Sequence, residues 1–337
     1  MNPAMVTVVG GGLAGLTVGI LLQRQGVPVV VYEAGAYPRH KVCGEFLSPR
    51  DGGLLERLGL NFLRAEGRQA HRVCWCWSEA ERNNFSLPKP ALALSRFRMD
   101  AVLAEKFVEL GGKLITHHRY TGDLRAEGVV VATGRRKAKA AGWVAVKMHF
   151  HGVPLWEDVE LHVGEKAYLG ICRVEGDWVN VSGLFRADKI PGGKAWDELL
   201  RNHRLDWVAD RLQKAELIPQ SFAAVSHLDF VSPPEPSMFV IGDAWQMIPP
   251  LAGNGMSMAI ESAALATEPL LAYSQSQCRW PESLARFHRL SRAAFEPRVF
   301  RARWIQRLLM NKTSRASLRQ LSKSGLVPYK LMHNLLG

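Results

Sequence analysis

"VTVVGGGLAGLTVGILLQRQGVPVVVYE", residues 6–33, is the stretch that decides the fold. Val6–Val9 is a short apolar, β-branched run that leads straight into Gly10-Gly11-Gly12-Leu13-Ala14-Gly15, a GxGxxG spacing. An apolar helical pattern through Leu16, Ile20 and Leu21 follows as far as Gly26, and a second run, Val27 to Tyr32, ends at Glu33. The glycines do separate mechanical jobs. Gly10 makes the tight turn, Gly12 lets backbone approach a pyrophosphate, and Gly15 lets helix and strand close up. The N-terminus of the predicted helix offers free N–H donors to phosphate oxygens, and Leu13 and Ala14 are counted with the glycines as cofactor-binding residues. Glu33, eighteen residues past Gly15, can accept hydrogen bonds from ribose hydroxyls. An acid at that place argues against a 2′-phosphate. The stretch therefore predicts a dinucleotide-binding α/β unit.

The fingerprint does not separate FAD from NAD, but the far end of the chain does. Met238 to Gly242 reads as a third buried strand, running into "GDAWQMIPPLAGNGMSMAIESAALA", residues 242–266. Gly242 and Asp243 close that strand, and the Asp243 carboxylate suits the hydroxyls of a ribityl chain. Pro249-Pro250 and Gly253-Asn254-Gly255 then form a rigid turn into a helix from about Met256, whose N-terminus favours negative charge such as that on a reduced flavin. FAD is the expected cofactor.

Bulk properties are those of an ordinary globular protein. The chain has 337 residues, 47% hydrophobic and 22% charged, which excludes a disordered or fibrous class and leaves room for about two domains. Its N-terminus reads as no signal peptide. The uncharged stretch Ala244 to Ile260 is interrupted by prolines and glycines and is no membrane span. Five cysteines at irregular spacing fit a reducing compartment rather than a disulfide framework, so a cytoplasmic location is expected. His149 and His151 share one face of a predicted strand without a third ligand at metal-binding spacing, and Cys74 and Cys76 are too close for a zinc pair. No metal is assigned.

The two motifs together resemble the flavoprotein superfamily that contains p-hydroxybenzoate hydroxylase, the flavin-dependent halogenases and the geranylgeranyl reductases. "LSRFRMDAVLAEKFVELGG", residues 94–112, is similar to that superfamily's Arg-led helix before an adenine-side strand. The resemblance implies a Rossmann-like FAD-binding domain of the glutathione reductase type, an inserted mixed β-sheet substrate domain and a C-terminal helical segment. The corresponding division is residues 1–70, 92–142 and 235–275 for the FAD domain, 71–91 and 143–234 for the substrate domain, and 276–337 for the helical segment. It also implies that Ala34, Lys41, Arg98, Thr133, Gly134 and Pro250 join the motif residues at the cofactor.

"KVCGEFLSPRDGGLLERLGL", residues 41–60, resembles the geranylgeranyl reductase branch, whose members place a basic residue, Cys-Gly and Leu-Ser-Pro before a helix. This implies a loop over the flavin ring with Cys43 and Gly44 facing a substrate cavity. Glu45 stands where the reductases have a second glycine, and the Gly44-Glu45 pair is similar to the halogenases. Tyr168 is the other candidate cavity residue. "VVVATGRR", residues 129–136, has Thr133-Gly134 where hydroxylases have Asp-Gly, and Trp75-Cys76-Trp77 lacks the halogenase continuation and fits strand alternation.

These features lead to an FAD-dependent oxidoreductase acting on a hydrophobic substrate. The leading expectation is flavin hydride transfer to a carbon–carbon double bond, with Cys43 or Tyr168 completing saturation as proton donor. The alternatives are monooxygenation of an aromatic or polyketide substrate, and a flavin-binding protein without turnover. No second GxGxxG is present, so reducing equivalents are expected from docked NAD(P)H or a reduced partner.

Charge is concentrated at one end. Residues 279–337 hold thirteen lysines and arginines against Glu282 and Glu296, a net +11, whereas the rest of the chain is +1. The tail reads as helix, with Leu290, Phe295, Val299, Trp304, Ile305, Leu308 and Leu309 interleaved with arginines. Peripheral membrane contact or a solvated basic face on the FAD domain is expected; no nucleic-acid recognition motif accompanies the charge.

Overall fold

The computed structural model describes residues 3–47, 53–136, 142–187, 195–231 and 235–325. Two sheets organise it. The first is parallel and forms where the β-branched runs collapse together: β1 (Val6–Val9) lies beside β2 (Val29–Tyr32), with α1 (Leu13–Gln23) as the crossover between them. Both faces of a parallel sheet are covered, which is why these strands are apolar throughout rather than alternating. A short β3 (Phe46–Leu47), α2 (Leu54–Arg57) and α3 (Leu63–Glu66) lead to β4 (Arg68–Cys76) and β5 (Arg82–Ala93), both in the second sheet. The chain then returns through α4 (Arg96–Glu109) to β6 (Lys113–Ile115) beside β2 and to β7 (Val129–Val131) beside β1.

The second sheet continues with β8 (Val144–His151), β9 (Val159–Gly164), β10 (Ala167–Arg173) and β11 (Val179–Phe185). The turn between β10 and β11 is Glu175-Gly176-Asp177, as the sequence suggests, with left-handed φ at Gly176 and Asp177. Helices α5 (Trp196–Asn202) and α6 (Asp206–Gln213) cover the sheet's outer face, and β12 (Glu216–Leu217) and β13 (Ala223–Ser226) pair with β8. The path is β12-β8-β11-β10-β9-β4-β5-β3. Only β4 and β9 run parallel within it.

β14 (Phe239–Val240) completes the order β14-β7-β1-β2-β6 in the parallel sheet. It is followed by α7 (Asn254–Ser274), which packs on α1, and by α8 (Trp280–Met310) and α9 (Lys312–Lys323). Phe239 stacks on Phe287 at 4.4 Å between ring centroids, anchoring α8 to the parallel sheet. The helix predicted to start at Ser48-Pro49 lies outside the described residues. β5 escaped sequence reading because of Pro88 and Pro90. Neither costs a ladder bond, since β4 pairs with Arg82–Ser86 and Ala91–Ala93 and skips the residues between.

Candidate active site

One cavity of about 940 Å³ lies between the two sheets. Its walls join the β1–α1 turn, the loop after β2, the start of α4, residues 132–135, the inner face of the second sheet and residues 241–256. The glycines of the first motif shape one end. Gly10 has φ +113° and a Cβ there would meet the Ala132 carbonyl oxygen at 2.3 Å; a Cβ on Gly15 would meet the Gly10 carbonyl oxygen at 2.0 Å. Gly15 does not line the cavity; it holds α1 against β1, the packing role read from sequence. Gly12 faces open space whose nearest atoms are Arg96 Nη2 and Lys41 Nζ, 3.8 and 3.9 Å from a would-be Cβ.

Those two cations are fixed by a residue that sequence reading missed. Asp100, 1% exposed, accepts from Lys41 Nζ at 2.7 Å and from Arg96 Nε and Nη2 at 2.8 and 2.9 Å. Burial works against ionising Asp100, but Arg96 and Lys41 together outweigh it and hold the carboxyl below the usual range. Burial lowers the Lys41 ammonium pKa while Asp100 opposes the shift. Two cations on one carboxylate leave a net positive charge beside Gly12 and the start of α1. That is the donor set a pyrophosphate requires.

The arginine assignment needs correction. Arg98 points away from the cavity to Glu66, with Nε 2.7 Å from Oε2. Residues two apart on a helix lie about 200° around the axis from one another, so only one of Arg96 and Arg98 can face inward. It is Arg96.

Glu33 does more than the ribose role its position suggests. It is buried, and its two oxygens accept from Gly11 N–H at 3.0 Å, Gly35 N–H at 2.8 Å and Arg39 at 3.2 Å, bracing the glycine turn while lining the cavity. Ala34, Thr133 and Gly134 line the same end. At the other end Gly242, with φ +63°, donates its N–H to Ser262 Oγ at 2.9 Å and turns the chain so that Asp243 lines the cavity. The enclosed position raises the Asp243 carboxyl to about 6, with Arg96 pulling the other way. Gly253, φ +67°, presses on Phe46, and Pro250, Gly255 and Met256 line the cavity at the start of α7. Asn254 is buried behind them and does not.

The 41–47 loop is held from both sheets. Glu45 is fully buried with φ +55°; its Oε2 lies 2.6 Å from His149 Nε2, and its Oε1 lies 3.3 Å from Lys147 Nζ and accepts Arg96 N–H at 3.0 Å. Asn180 Nδ2 donates to the Cys43 and Gly44 carbonyls at 3.2 and 2.9 Å. Lys147 also lies 3.0 Å from His40 Nδ1. Burial, then Lys147 and His149, push the His40 imidazole down to about 4, so it is neutral at physiological pH. Where the reductase pattern has glycine, this chain therefore has an acid because two buried bases on β8 need a partner. His149 is held by its hydrogen bond to Glu45, and among the described residues no His, Cys, Asp and Glu group is arranged for a metal.

Cys43 and Gly44 line the cavity, and nothing of the protein stands within 4 Å of a Cβ on Gly44, leaving its face open. Burial raises the Cys43 thiol pKa, so the sulfur stays protonated. Across the cavity Tyr168 is 3% exposed, donates to Gln306 Oε1 at 3.3 Å and is held well above its ordinary pKa by burial. The cavity lining contributed by the second sheet and residues 228–230 is largely apolar, with Trp75, Phe85, Leu161, Leu184, Leu228 and Phe230 beside Tyr168 and Ser182.

The cavity thus has a glycine cradle with fixed cations at one end and a largely apolar lining at the other. Residues 4–142 match the FAD binding domain family, and the chain is similar to FAD-dependent oxidoreductases. It is an enzyme. The chain is 25% identical to a menaquinone reductase from Mycolicibacterium smegmatis, across 79% of this chain and 76% of that one. An FAD-dependent monooxygenase from Aspergillus terreus is 30% identical over 39% of this chain and 43% of its own. A geranylgeranyl bacteriochlorophyll reductase-like protein from Thermoplasma acidophilum shares the fold with a TM-score of 0.77 at 18% identity, covering 98% of this chain and 96% of that one.

Proposed function

We propose that this enzyme saturates a carbon–carbon double bond in a largely apolar, isoprenoid-type substrate. The observation that carries the reading is the chamber around Tyr168, where the wall is largely hydrocarbon and aromatic and the hydroxyl and thiol groups at Tyr168 and Cys43 are kept neutral by burial. Bound FAD supplies the reducing equivalents as hydride, replenished by NAD(P)H or a reduced partner. The Gly10–Gly15 turn, the N–H groups at Leu13 and Ala14, Lys41 and Arg96 would hold its pyrophosphate, Glu33 its ribose, and Asp243 its ribityl hydroxyls. The start of α7 and the Cys43-Gly44 backbone would border its ring.

The chain's own chemistry is the second half of saturation, delivery of a proton. Tyr168 and Cys43 both keep theirs at neutral pH. Similarity to a menaquinone reductase over most of both chains supports a prenylated substrate. Such a substrate resides in lipid, and peripheral membrane contact through the basic C-terminal segment follows from it. Hydroxylation of an aromatic substrate is the second reading, favoured by the 30% identity to a monooxygenase.

Product masses separate the two. Reduced enzyme incubated without air with polyprenyl quinols and polyprenyl diphosphates, which carry no reducible ring, should yield products heavier by two hydrogens in the prenyl chain. Incorporation of label from isotopic dioxygen, with no anaerobic product, would overturn the reductase reading.

A further inference from the structure

α8 is one helix with two occupations. Its inner side is core, with Phe287, Phe295, Val299, Ala302, Ile305 and Leu309 all buried. Its outer side carries Phe300, 70% exposed, and Trp304, 57% exposed, one turn apart and therefore neighbours on the surface. Arg289, Arg292, Arg307 and, at the start of α9, Lys312 are exposed around them. The acid on that side is Glu296, within 3.8 Å of Arg292. Other cations of the segment pair with carboxylates away from this face, Arg279 with Glu282, Arg286 with Glu268, Arg298 with Glu261, and Arg319 and Lys323 with Glu81; around Phe300 and Trp304 the local balance is therefore Arg289, Arg292, Arg307 and Lys312 against Glu296, a net +3.

We infer that this face docks on an anionic phospholipid surface, with Phe300 and Trp304 entering the interface and the surrounding cations contacting lipid phosphates. The inference rests on the apolar-substrate reading and names the partner that delivers the substrate. Aromatic side chains seat at the boundary between headgroups and acyl chains, and each basic residue near an anionic leaflet adds attraction. Charge selects this occupant: a second copy would bring the same positive face, and like charges repel. The opposite side of the helix explains the placement. Gln306 on α8 accepts from Tyr168 inside the chamber at 3.3 Å, so a docked membrane would lie about one helix diameter, roughly 10 Å, from the substrate wall.

The test is flotation of the FAD-loaded full chain with vesicles of phosphatidylglycerol and phosphatidylcholine, beside vesicles of phosphatidylcholine alone. The intact chain should float with the anionic vesicles at low salt and remain behind with the neutral ones. The double variant Phe300→Ser/Trp304→Ser should keep its yellow colour, show unchanged turnover of a short-chain soluble analogue, and lose at least about tenfold in vesicle affinity. Equal flotation of intact and double-variant chains would overturn the inference. So would binding of a single-stranded oligonucleotide without vesicle binding, or loss of flotation on ending the chain at residue 325 while the double variant still floats. Vesicle binding by an intact chain that turns over no analogue would support the docking and reject the proposed reaction.

Discussion

Glu45 shows how one side chain can tie two sheets together. Its carboxylate is fully buried and faces Lys147, His149 and the Arg96 N–H at once. Removing one member of a buried ion cluster leaves the others uncompensated, at a cost of about 3–5 kcal/mol. Glu45→Ala should therefore lower unfolding stability by that amount, and Glu45→Ala combined with Lys147→Met should recover part of it. Urea titration of the three chains checks this, and a double variant no better than the single one would remove Lys147 from the account. Asp243 offers a pH-dependent counterpart. Its folded pKa is raised from 3.8 to about 6, so ionisation is disfavoured in the fold and the resulting destabilisation grows above pH 3.8 and is complete above about 6. Asp243→Asn should then make the FAD-free chain more stable at pH 8, with the gain vanishing below pH 3.8, while weakening FAD binding at pH 8 through loss of a charged acceptor. Melting curves across that range and FAD titration would show the opposite signs.

At the scale of elements, what was legible was what is local. The glycine turn, α1 and the acid after β2 are specified within 28 residues, because turn geometry and helix start depend on adjacent residues. The Gly242–Met256 segment was readable for the same reason. α4 was placed correctly but its inward arginine was not, since choosing Arg96 over Arg98 requires the phase of the helix. That phase was available in principle: Ser95 caps α4, and Arg96 stands four residues before Asp100, on the same face. Arg96→Met should weaken FAD binding by about tenfold or more, in line with loss of a charged contact, and Arg98→Met by less than about twofold. Equal effects in fluorescence titrations would return Arg98 to the site.

Across the whole molecule, the illegible part was contact between distant segments. Glu45 and His149 are separated by 104 residues and meet only because the loop after β2 crosses onto β8. The sequence offers His149 merely as one of two histidines on a strand, with nothing to announce its partner. Charge distribution was readable because it needs no fold, whereas the exposure of Phe300 and Trp304 emerged once α8 had chosen its inner face. The same arrangement brings the cofactor cradle and the chamber around Tyr168 into one cavity, and the central claim is that reducing equivalents pass within it to an unsaturated carbon. Absorbance of the reduced enzyme, followed with air excluded as a polyprenyl diphosphate, which has no quinone ring to take the electrons, is added, tests that most directly. The flavin should reoxidise without oxygen and in proportion to product formed. A flavin that stays reduced with each such substrate until dioxygen is admitted would contradict the account.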